Sequence, residues 1–281
     1  MGEHAGQPQQ KPKVEIDNIS KDFLTSRGRV SALRDINLTV ADGEFLCICG
    51  PSGSGKSTLF NIIAGLQPPT RGTIRIDGVD VTSSVLGHVS YMFQKDLLVP
   101  WRTVTENVTL GLEVRGVPSS EAEERARSYI KRYGLAGFED TFPKDLSGGM
   151  RQRVALMRTM VLDNSVILMD EPFSALDYPT KLSIETEVRE LASELDKTVL
   201  FVTHDIDEAV SMGDRVVVLS RAPGRVKAIH DVNLFQRYGS VVRARGAEEF
   251  REHFNRIWDE LEVTTDVGAG AGAAAAAGRR A

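Results

Sequence analysis

The sequence has few cysteines and no long apolar run, and each absence excludes a class of protein. Two cysteines among 281 residues exclude a disulfide-stapled scaffold. No apolar stretch reaches the roughly 18 residues that a membrane-spanning helix needs. The start of the chain also lacks the apolar core of a signal peptide. We therefore expect the chain to lie in the cytosol.

Basic residues are not in excess either. The chain has 34 Lys and Arg residues against 39 Asp and Glu, a formal charge of −5. Duplex-DNA-binding domains usually carry a basic face, so we expect no nucleic-acid partner. Its 41% hydrophobic and 26% charged residues are ordinary for a globular protein, neither disordered nor fibrous.

The two cysteines lie two residues apart in the apolar run Phe45-Leu-Cys47-Ile-Cys49. If this run is a strand, both side chains point to the same face of it. We interpret them as buried core thiols. The alternative, a redox pair, would need the turn that a Cys-x-x-Cys spacing provides.

Short β-branched runs alternate with helical patterns between about residues 13 and 263. The predicted strands cover residues 44–49, 72–76, 88–93, 166–169, 199–202 and 215–219. The predicted helices cover residues 56–65, 103–114, 120–133, 149–162, 180–195 and 206–212. Apolar strands followed by helices predict a parallel sheet covered on both faces. Ser120 and Glu123 predict a capping box at the start of one helix.

The same pattern predicts how the chain is divided. We expect a flexible leader (1–12), a folded domain (13–240) with a helical subdomain at about 97–160, a C-terminal helical extension (241–267) and a disordered Gly/Ala tail (268–281). One apolar face in the extension has helical spacing and consists of Phe250, Phe254, Ile257, Trp258 and Leu261. We expect this face to pack on the domain, with a partner-binding helix as the alternative.

The segment Gly50-Pro-Ser-Gly-Ser-Gly-Lys-Ser-Thr58 lies between a predicted strand and a predicted helix, the context of a phosphate-binding loop. Its glycines let backbone N–H groups point at phosphate oxygens, and the helix start adds a positive dipole end. We expect Lys56 to bridge the β- and γ-phosphates and the Ser57 hydroxyl to ligate Mg²⁺. The predicted nucleotide contacts are Gly50, Pro51, Ser52, Gly53, Ser54, Gly55, Lys56, Ser57 and Thr58.

Two carboxylates follow the apolar run Val166-Ile-Leu-Met. A buried strand would deliver Asp170 and Glu171 at its carboxyl end, where ligands bind in open α/β sheets. Asp170 is then placed to hold Mg²⁺, directly or through water, and Glu171 to act on the attacking water.

A second glycine loop, Leu146-Ser147-Gly148-Gly149-Met150, begins a predicted helix. It is a second anion site without a lysine. The chain thus holds a phosphate loop and a complementary half that its own nucleotide does not need. We therefore expect a head-to-tail homodimer with each ATP between loops of opposite chains.

Over residues 14–225 these motifs resemble the ATP-binding cassette (ABC) ATPases, although Met150 stands where that family usually has Gln. The resemblance implies an α/β P-loop NTPase fold with an inserted helical subdomain and an antiparallel β subdomain. It implies ATP and Mg²⁺ as cofactors. It also places Ser147, Gly148 and Gly149 in the nucleotide site, with Ser147 and Gly149 at the γ-phosphate across the dimer.

The family's other motifs occur in order along the chain. Gln94 resembles the glutamine that senses Mg²⁺ and the attacking water, and His204 resembles the switch histidine at the γ-phosphate. Ser174-Ala-Leu-Asp177 resembles the loop next to the dimer partner. Phe23 stands where the family has the aromatic that stacks on adenine, with packing in the core as the alternative. The resemblance implies Glu171, His204, Gln94 and Lys56 as catalytic residues.

Three classes of function share the nucleotide site. A non-catalytic ATP-binding regulator would not require Glu171 and His204. DNA-repair relatives carry long insertions between their glycine loops, whereas the 90 residues from Lys56 to Leu146 leave room only for a helical subdomain. Translation-associated relatives carry two cassettes in one chain, and this chain has one. We therefore expect a transport motor that needs a separate integral membrane permease.

Two further segments resemble the ATPases of nitrate, sulfonate and taurine importers, namely Pro100-Trp101-Arg102-Thr103-Val104 and Arg221-Ala-Pro-Gly-Arg-Val226. The resemblance implies a peripheral subunit on the cytoplasmic side of the inner membrane, linked through the permease to a solute-binding protein. Trp101 either anchors a permease helix or packs in the core. The alternative is the ATPase of an exporter or lipoprotein-release system, which shares every catalytic motif.

Overall fold

The computed structural model of the chain describes residues 12–26, 28–82, 87–174 and 176–261, and within these ranges ten strands form two sheets. The strands are β1 (Pro12–Thr25), β2 (Gly28–Ala41), β3 (Phe45–Cys49), β4 (Arg71–Ile76), β5 (Val79–Asp80), β6 (Val89–Met92), β7 (Val166–Asp170), β8 (Thr198–Val202), β9 (Arg215–Leu219) and β10 (Val226–Asp231). The four-stranded antiparallel sheet has the order β2-β1-β4-β5, and the six-stranded sheet has the order β10-β9-β3-β8-β7-β6.

Helices cover both faces of the six-stranded sheet. They are α1 (Lys56–Ile63), α2 (Val104–Val114), α3 (Ser119–Arg132), α4 (Gly148–Met160), α5 (Tyr178–Glu194), α6 (Ile206–Met212), α7 (Leu234–Tyr238), α8 (Val241–Arg245) and α9 (Glu248–Leu261), with a 3₁₀ turn at Pro143–Asp145. Strands β9, β3, β8, β7 and β6 are parallel and β10 is antiparallel to β9. The predicted covered parallel sheet is confirmed.

Alternate side chains of the parallel strands belong to different cores. In β3, Phe45, Cys47 and Cys49 join the core that contains α2, α4 and α5, whereas Leu46 and Ile48 join the core that contains α1 and the antiparallel sheet. Both cysteines are free and fully buried. Burial raises the pKa of Cys49 to about 12, so its thiol stays protonated and unreactive. The prediction of core thiols is confirmed.

A capping box forms on α2 and not on α3. Thr103 accepts a hydrogen bond from Glu106 N at 3.3 Å, and the Glu106 carboxylate accepts one from Thr103 N at 2.7 Å. The box predicted for Ser120 and Glu123 is wrong, because α3 begins at Ser119. The capping position is then Pro118, whose side chain has no oxygen to accept the helix N–H groups.

The predicted strands and helices end within two residues of their observed ends. The pattern missed β1, β2, β5, β10, α7 and α8. The segments predicted as leader (1–12) and tail (268–281) lie outside the described residues except for Pro12, which begins β1. Within the described ranges, no helix is both long and apolar enough to cross a bilayer.

The apolar face of α9 packs on the rest of the chain. Ile257 is fully buried, and Phe250, Phe254 and Leu261 are partly buried against the core that contains α5 and α6. Only Trp258 keeps 45% of its surface exposed. The prediction that this face packs on the domain is confirmed.

A buried arginine ties α5 to β3 and α7. The Arg189 side chain is 1% exposed and donates to Asp214 Oδ1 at 2.7 Å and to Met212 O at 2.8 Å. Its guanidinium carbon lies 4.1 Å from the centre of the Phe235 ring and 5.1 Å from that of Phe45. Asp214 Oδ2 in turn accepts a hydrogen bond from Phe45 N at 2.8 Å.

Replacing this arginine tests its contribution. Arg189→Ala leaves the Asp214 carboxylate without its buried cation, so we expect the free energy of unfolding to fall by about 3–5 kcal/mol. Urea denaturation measures the change. Arg132→Ala is the control, because its partner Glu194 is exposed, and it should cost less than about 1 kcal/mol. Equal losses in the two variants would contradict the assigned role of Arg189.

Candidate active site

Four neighbouring parallel strands end at one edge of the sheet, and each end carries a predicted motif. The phosphate loop follows β3, His204 follows β8, Asp170 ends β7 just before Glu171, and Gln94 follows β6. Parallel strands place their carboxyl ends on the same side. Residues far apart in the sequence therefore meet at this edge.

The phosphate loop has the backbone shape that an anion requires. Gly53 and Gly55 have φ values of +79° and +89°. A Cβ added to Gly55 would lie 2.6 Å from Leu33 Cδ2. Helix α1 has no side-chain cap, which leaves the N–H groups of its first turn, from Lys56 onward, without an intrahelical acceptor. These N–H groups and the positive end of the helix fit a nucleotide's phosphates.

Lys56 is held by the loop itself. Its Nζ donates to Gly50 O at 2.7 Å and to Pro51 O at 3.3 Å. Burial lowers the pKa of Lys56, while Glu171 and Asp170 act in the opposite direction. Both hydrogen-bond acceptors are neutral carbonyls, so the ammonium charge remains available for a phosphate oxygen.

The other members of the predicted loop differ in exposure. Ser52 and Gly53 are exposed, and Pro51, Gly55 and Thr58 are half-buried. The Ser54 side chain is fully buried beneath the loop. The Ser54 N–H donates to Pro51 O at 3.1 Å, so neither the hydroxyl nor the N–H of Ser54 faces solvent.

Two predicted metal ligands meet beside α1. Asp170 is 7% exposed, and burial raises its pKa against the effect of a hydrogen bond from Ser57. Tyr91 Oη lies 3.4 Å from Asp170 Oδ2. A hydroxyl beside a carboxylate is an oxygen donor set of the kind that Mg²⁺ prefers. The third predicted ligand, Gln94, instead hydrogen-bonds Glu171.

Two predicted catalytic side chains converge on one oxygen atom of a third. Glu171 Oε2 accepts a hydrogen bond from Gln94 Nε2 at 3.0 Å and lies 3.1 Å from His204 Nδ1. Glu171 adopts a φ of +46°, a costly conformation for this residue type, and its N–H donates to Val202 O at 2.9 Å. This hydrogen bond to β8 therefore fixes the position of the Glu171 backbone from which the carboxylate extends.

The second glycine loop lies apart from the phosphate loop. Ser147 caps α4 by accepting a hydrogen bond from Met150 N at 3.3 Å. Ser147 and Gly148 are exposed, and a Cβ on Gly149 would lie 3.4 Å from Thr180 Cγ2, in the first turn of α5. Among the described residues no hydrogen bond joins this segment to the phosphate loop. One chain alone does not bring the two loops together.

Two predictions that left alternatives open are decided by exposure. Phe23 is half-buried, belongs to neither core and lies under Lys21 Nζ, 5.3 Å from its ring centre. Packing of Phe23 in the core is therefore wrong. Trp101 is 76% exposed, so its core alternative is wrong as well.

The segment after β9 supports the phosphate loop. This support was not predicted from the sequence. A Cβ on Gly224 would lie 2.0 Å from Ser54 O. Gly224 N donates to Ala32 O and Gly224 O accepts from Arg34 N, both at 2.9 Å. In the sequence, the Pro-Gly pair directly after a strand of the nucleotide-binding sheet predicts a turn. It does not predict that this turn contacts the phosphate loop.

Comparisons with known proteins agree with this geometry. A family model described as ABC transporter matches residues 33–174. An uncharacterized ABC transporter ATP-binding protein of Methanocaldococcus jannaschii is 46% identical over 252 residues, which are 90% of this chain and 92% of that protein. The nitrate import ATP-binding protein NrtD of Synechocystis is 42% identical over 79% of this chain and 83% of its own length. The aliphatic sulfonates import ATP-binding protein SsuB of Bacillus cereus is 36% identical over 89% and 96%.

A solved structure extends the likeness to the fold. The dimeric, post-hydrolysis state of the ATP-binding cassette MJ0796, bound to ADP and Pi, matches with a TM-score of 0.71 and 34% identity, covering 78% of this chain and 98% of that one. The nucleotide-binding strand ends and these matches define a P-loop ATPase with the cassette fold. The chain belongs to the ABC transporter family, as an ATP-hydrolysing ATP-binding protein.

The support from the segment after β9 can be tested by nucleotide binding. Gly224→Ala places a methyl group against Ser54 O and must displace the phosphate loop, so we expect the Kd for ATP to rise about tenfold or more. Calorimetric titration with ATP measures it. Gly246→Ala is the control, because its added Cβ would meet only ordinary contacts at 3.5 Å and beyond. Unchanged affinity in Gly224→Ala would contradict the support.

Proposed function

We propose that this chain hydrolyses ATP with Glu171, Gln94, His204 and Lys56 and so powers import of nitrate or a sulfonate through a separate membrane permease. The observation that carries the hydrolytic part is the convergence of Gln94 Nε2 and His204 Nδ1 on Glu171 Oε2. A carboxylate oriented by two partners at a phosphate site is the arrangement that activates water.

The phosphate loop binds the nucleotide. Backbone N–H groups of the loop Gly50–Thr58 and the start of α1 hold the phosphates, except at Pro51, which has no N–H, and Ser54, whose N–H donates to Pro51 O. Lys56 turns from its carbonyl partners to the β- and γ-phosphates. Phe23, which is half-buried and outside both cores, stacks on the adenine ring. Ser57 and Asp170, together with Gln94, would hold Mg²⁺, and the bound ion would supply positive charge against the charge that develops on the phosphates.

Hydrolysis then follows from the site geometry. Glu171 orients a water molecule and accepts its proton as the water attacks the γ-phosphorus, and the bond to the β-phosphate oxygen breaks. Gln94 and His204 hold the carboxylate in place. Lys56 stabilises the charge on the leaving phosphate oxygens.

A homodimer completes the site. The segment Ser147–Gly149 lies at a helix N-terminus with Ser147 and Gly148 exposed, and among the described residues no hydrogen bond joins it to its own chain's phosphate loop. Under two-fold symmetry it would contact the γ-phosphate of the nucleotide held by the partner. The dimeric ADP- and Pi-bound cassette with the same fold supports this arrangement.

The import function is supported by the named relatives. Proteins named for nitrate import and for aliphatic sulfonates import match most of this chain. Trp101 is 76% exposed in the run after Gln94, as expected for an anchor of a permease helix. The chain would then lie on the cytoplasmic side of the inner membrane, with a solute-binding protein delivering the solute to the permease.

The role of Glu171 can be tested directly. Glu171→Gln keeps the shape of the side chain but cannot accept a proton from water, so we expect kcat for ATP hydrolysis to fall at least about 100-fold. The Kd for ATP should change little. Phosphate release and ATP titration measure the two quantities, with Glu194→Gln, an exposed carboxylate, as control. Hydrolysis at the wild-type rate in Glu171→Gln would refute the assignment.

The transported solute can be tested in cells of the source organism that lack this chain. We expect uptake of labelled nitrate, taurine or an alkanesulfonate to be lost, because the permease needs ATP hydrolysis to turn over. Wild type should restore that uptake and Glu171→Gln should not. Unchanged uptake of all three solutes would contradict the import proposal while leaving the ATPase chemistry intact.

A further inference from the structure

A partly buried cluster of charged side chains connects the C-terminal extension to the loop that carries His204. It lies between α5, α6 and α8 and consists of Lys181, Glu185, Asp205, Glu208 and Arg245. Three carboxylates thus share two cations. Removing one cation would leave a single ammonium for three carboxylates in a largely dry environment.

Lys181 is the centre of the cluster. Its Nζ lies 2.5 Å from both Asp205 Oδ2 and Glu208 Oε1, and 4.0 Å from Glu185 Oε1. Burial works to lower the pKa of Lys181, but the hydrogen bonds to Asp205 and Glu208 outweigh it and leave that pKa raised. The Lys181 ammonium therefore stays charged. It pairs closely with Asp205 and Glu208 and interacts with Glu185 only at longer range.

Those two carboxylates hold both neighbours of His204. Asp205 caps α6 by accepting a hydrogen bond from Asp207 N at 2.9 Å. Thr203 Oγ1 donates to Glu208 and accepts from Asp205 N at 2.9 Å. The backbone on either side of His204 is thereby tied to the carboxylates that Lys181 binds.

The cluster also borders the active site. One cavity of about 80 Å³ is lined by Glu171 and His204 and equally by Lys181, Thr203 and Glu208. The charged cluster and the carboxylate and imidazole at the strand ends thus border the same cavity. A shift of Lys181 would therefore change the surroundings of His204.

Arg245 brings α8 into the cluster. Its guanidinium donates to Glu185 Oε2 at 2.6 Å and to Ser211 Oγ at 3.2 Å. Glu185 is fully buried, and within the described chain its Oε1 has no hydrogen-bond partner. Arg245 is thus the cation that compensates a carboxylate which would otherwise compete for Lys181.

We propose that Arg245 is a positioning residue for ATP hydrolysis: by compensating Glu185 it leaves Lys181 to Asp205 and Glu208, which hold His204. The proposal rests on the proposed role of His204. Without Arg245, Glu185 draws Lys181 across the 4.0 Å gap and the ties around His204 loosen. The C-terminal extension then sets the rate of turnover without touching the nucleotide.

The proposal has a definite pH dependence. The charged groups that face Glu185 are Lys181 on its own helix, Asp205 and Glu208 at the start of α6, and Arg245 on α8. Burial raises the pKa of Glu185 to about 7 against the lowering effect of Arg245. In an Arg245 variant Glu185 therefore stays protonated at low pH and does not compete for Lys181. As the pH rises it ionises and competes for Lys181, so the defect should grow.

The test measures ATP hydrolysis by the purified full chain. Arg245→Ala should lower kcat about tenfold near pH 9 and about twofold near pH 6, with KM for ATP changed less than about twofold. Arg245→Ala combined with Glu185→Gln should regain most of the wild-type kcat and lose the pH-dependent defect, because no carboxylate then competes for Lys181. Arg245→Lys, which retains the charge, should stay within about threefold of wild type.

Two controls keep the outcomes separate. Arg256→Ala removes an exposed arginine of the same extension, paired with Glu252, and should leave kcat unchanged at every pH. If Arg245→Ala does not fold, Arg245→Gln is used, since it retains an N–H donor to Glu185 without the charge. A merely structural role would lower the melting temperature without changing kcat of the folded protein.

His204→Ala separates this proposal from the one on which it rests. If His204→Ala hydrolyses ATP normally, the proposed catalytic role of His204 fails. If His204→Ala is inactive but Arg245→Ala and Arg245→Gln keep the wild-type kcat at all pH values, only the positioning role fails. A defect in Arg245→Ala that is the same at every pH and persists after Glu185→Gln also overturns it.

Discussion

The structure depends on the parallel alignment of β3, β8, β7 and β6, because this alignment alone brings the reacting groups together. Each strand is hydrogen-bonded to the next in register, and each ends where a motif begins. Side chains from both faces of these strands enter different cores, so the strand order cannot change without exposing one of them. The sheet therefore supplies the rigidity that positioned catalytic groups require.

At this edge of the sheet, neighbouring segments support the backbone that carries the reactive side chains, and the side chains themselves remain exposed to solvent. The phosphate loop is supported by Leu33 on β2 and by Gly224 after β9, and Glu171 is anchored through its N–H to β8. The Glu171 and His204 side chains nevertheless remain 20% and 64% exposed. Rigid backbone with accessible side chains suits a site that exchanges nucleotide at each turnover and that, as proposed, a second subunit completes.

The strands and helices that bury a continuous apolar run could be predicted, because an element that is buried on two faces must consist mostly of apolar residues. Strand β1 could not, since register shifts at Ile16, Ile19 and Lys21 interrupt the alternation of buried and exposed residues. Strand β2 was missed although Ile36, Leu38 and Val40 are buried and alternate with exposed residues. The capping box was misplaced for a local reason: Thr103 and Glu106 have the same spacing as the pair predicted for α3. Spacing alone does not show which residue is the last before a helix.

The sequence alone predicts the chemistry of the site: a glycine loop with Lys56, carboxylates after an apolar strand, and a histidine after another are local patterns whose function depends on residue type. The tertiary structure decided which of these groups meet. Contacts such as Gln94 and His204 on one oxygen of Glu171, or Arg245 on Glu185, join residues 33 to 77 positions apart. Such contacts depend on strand order and helix packing, which are set by the burial of whole faces and leave no local signal in the sequence.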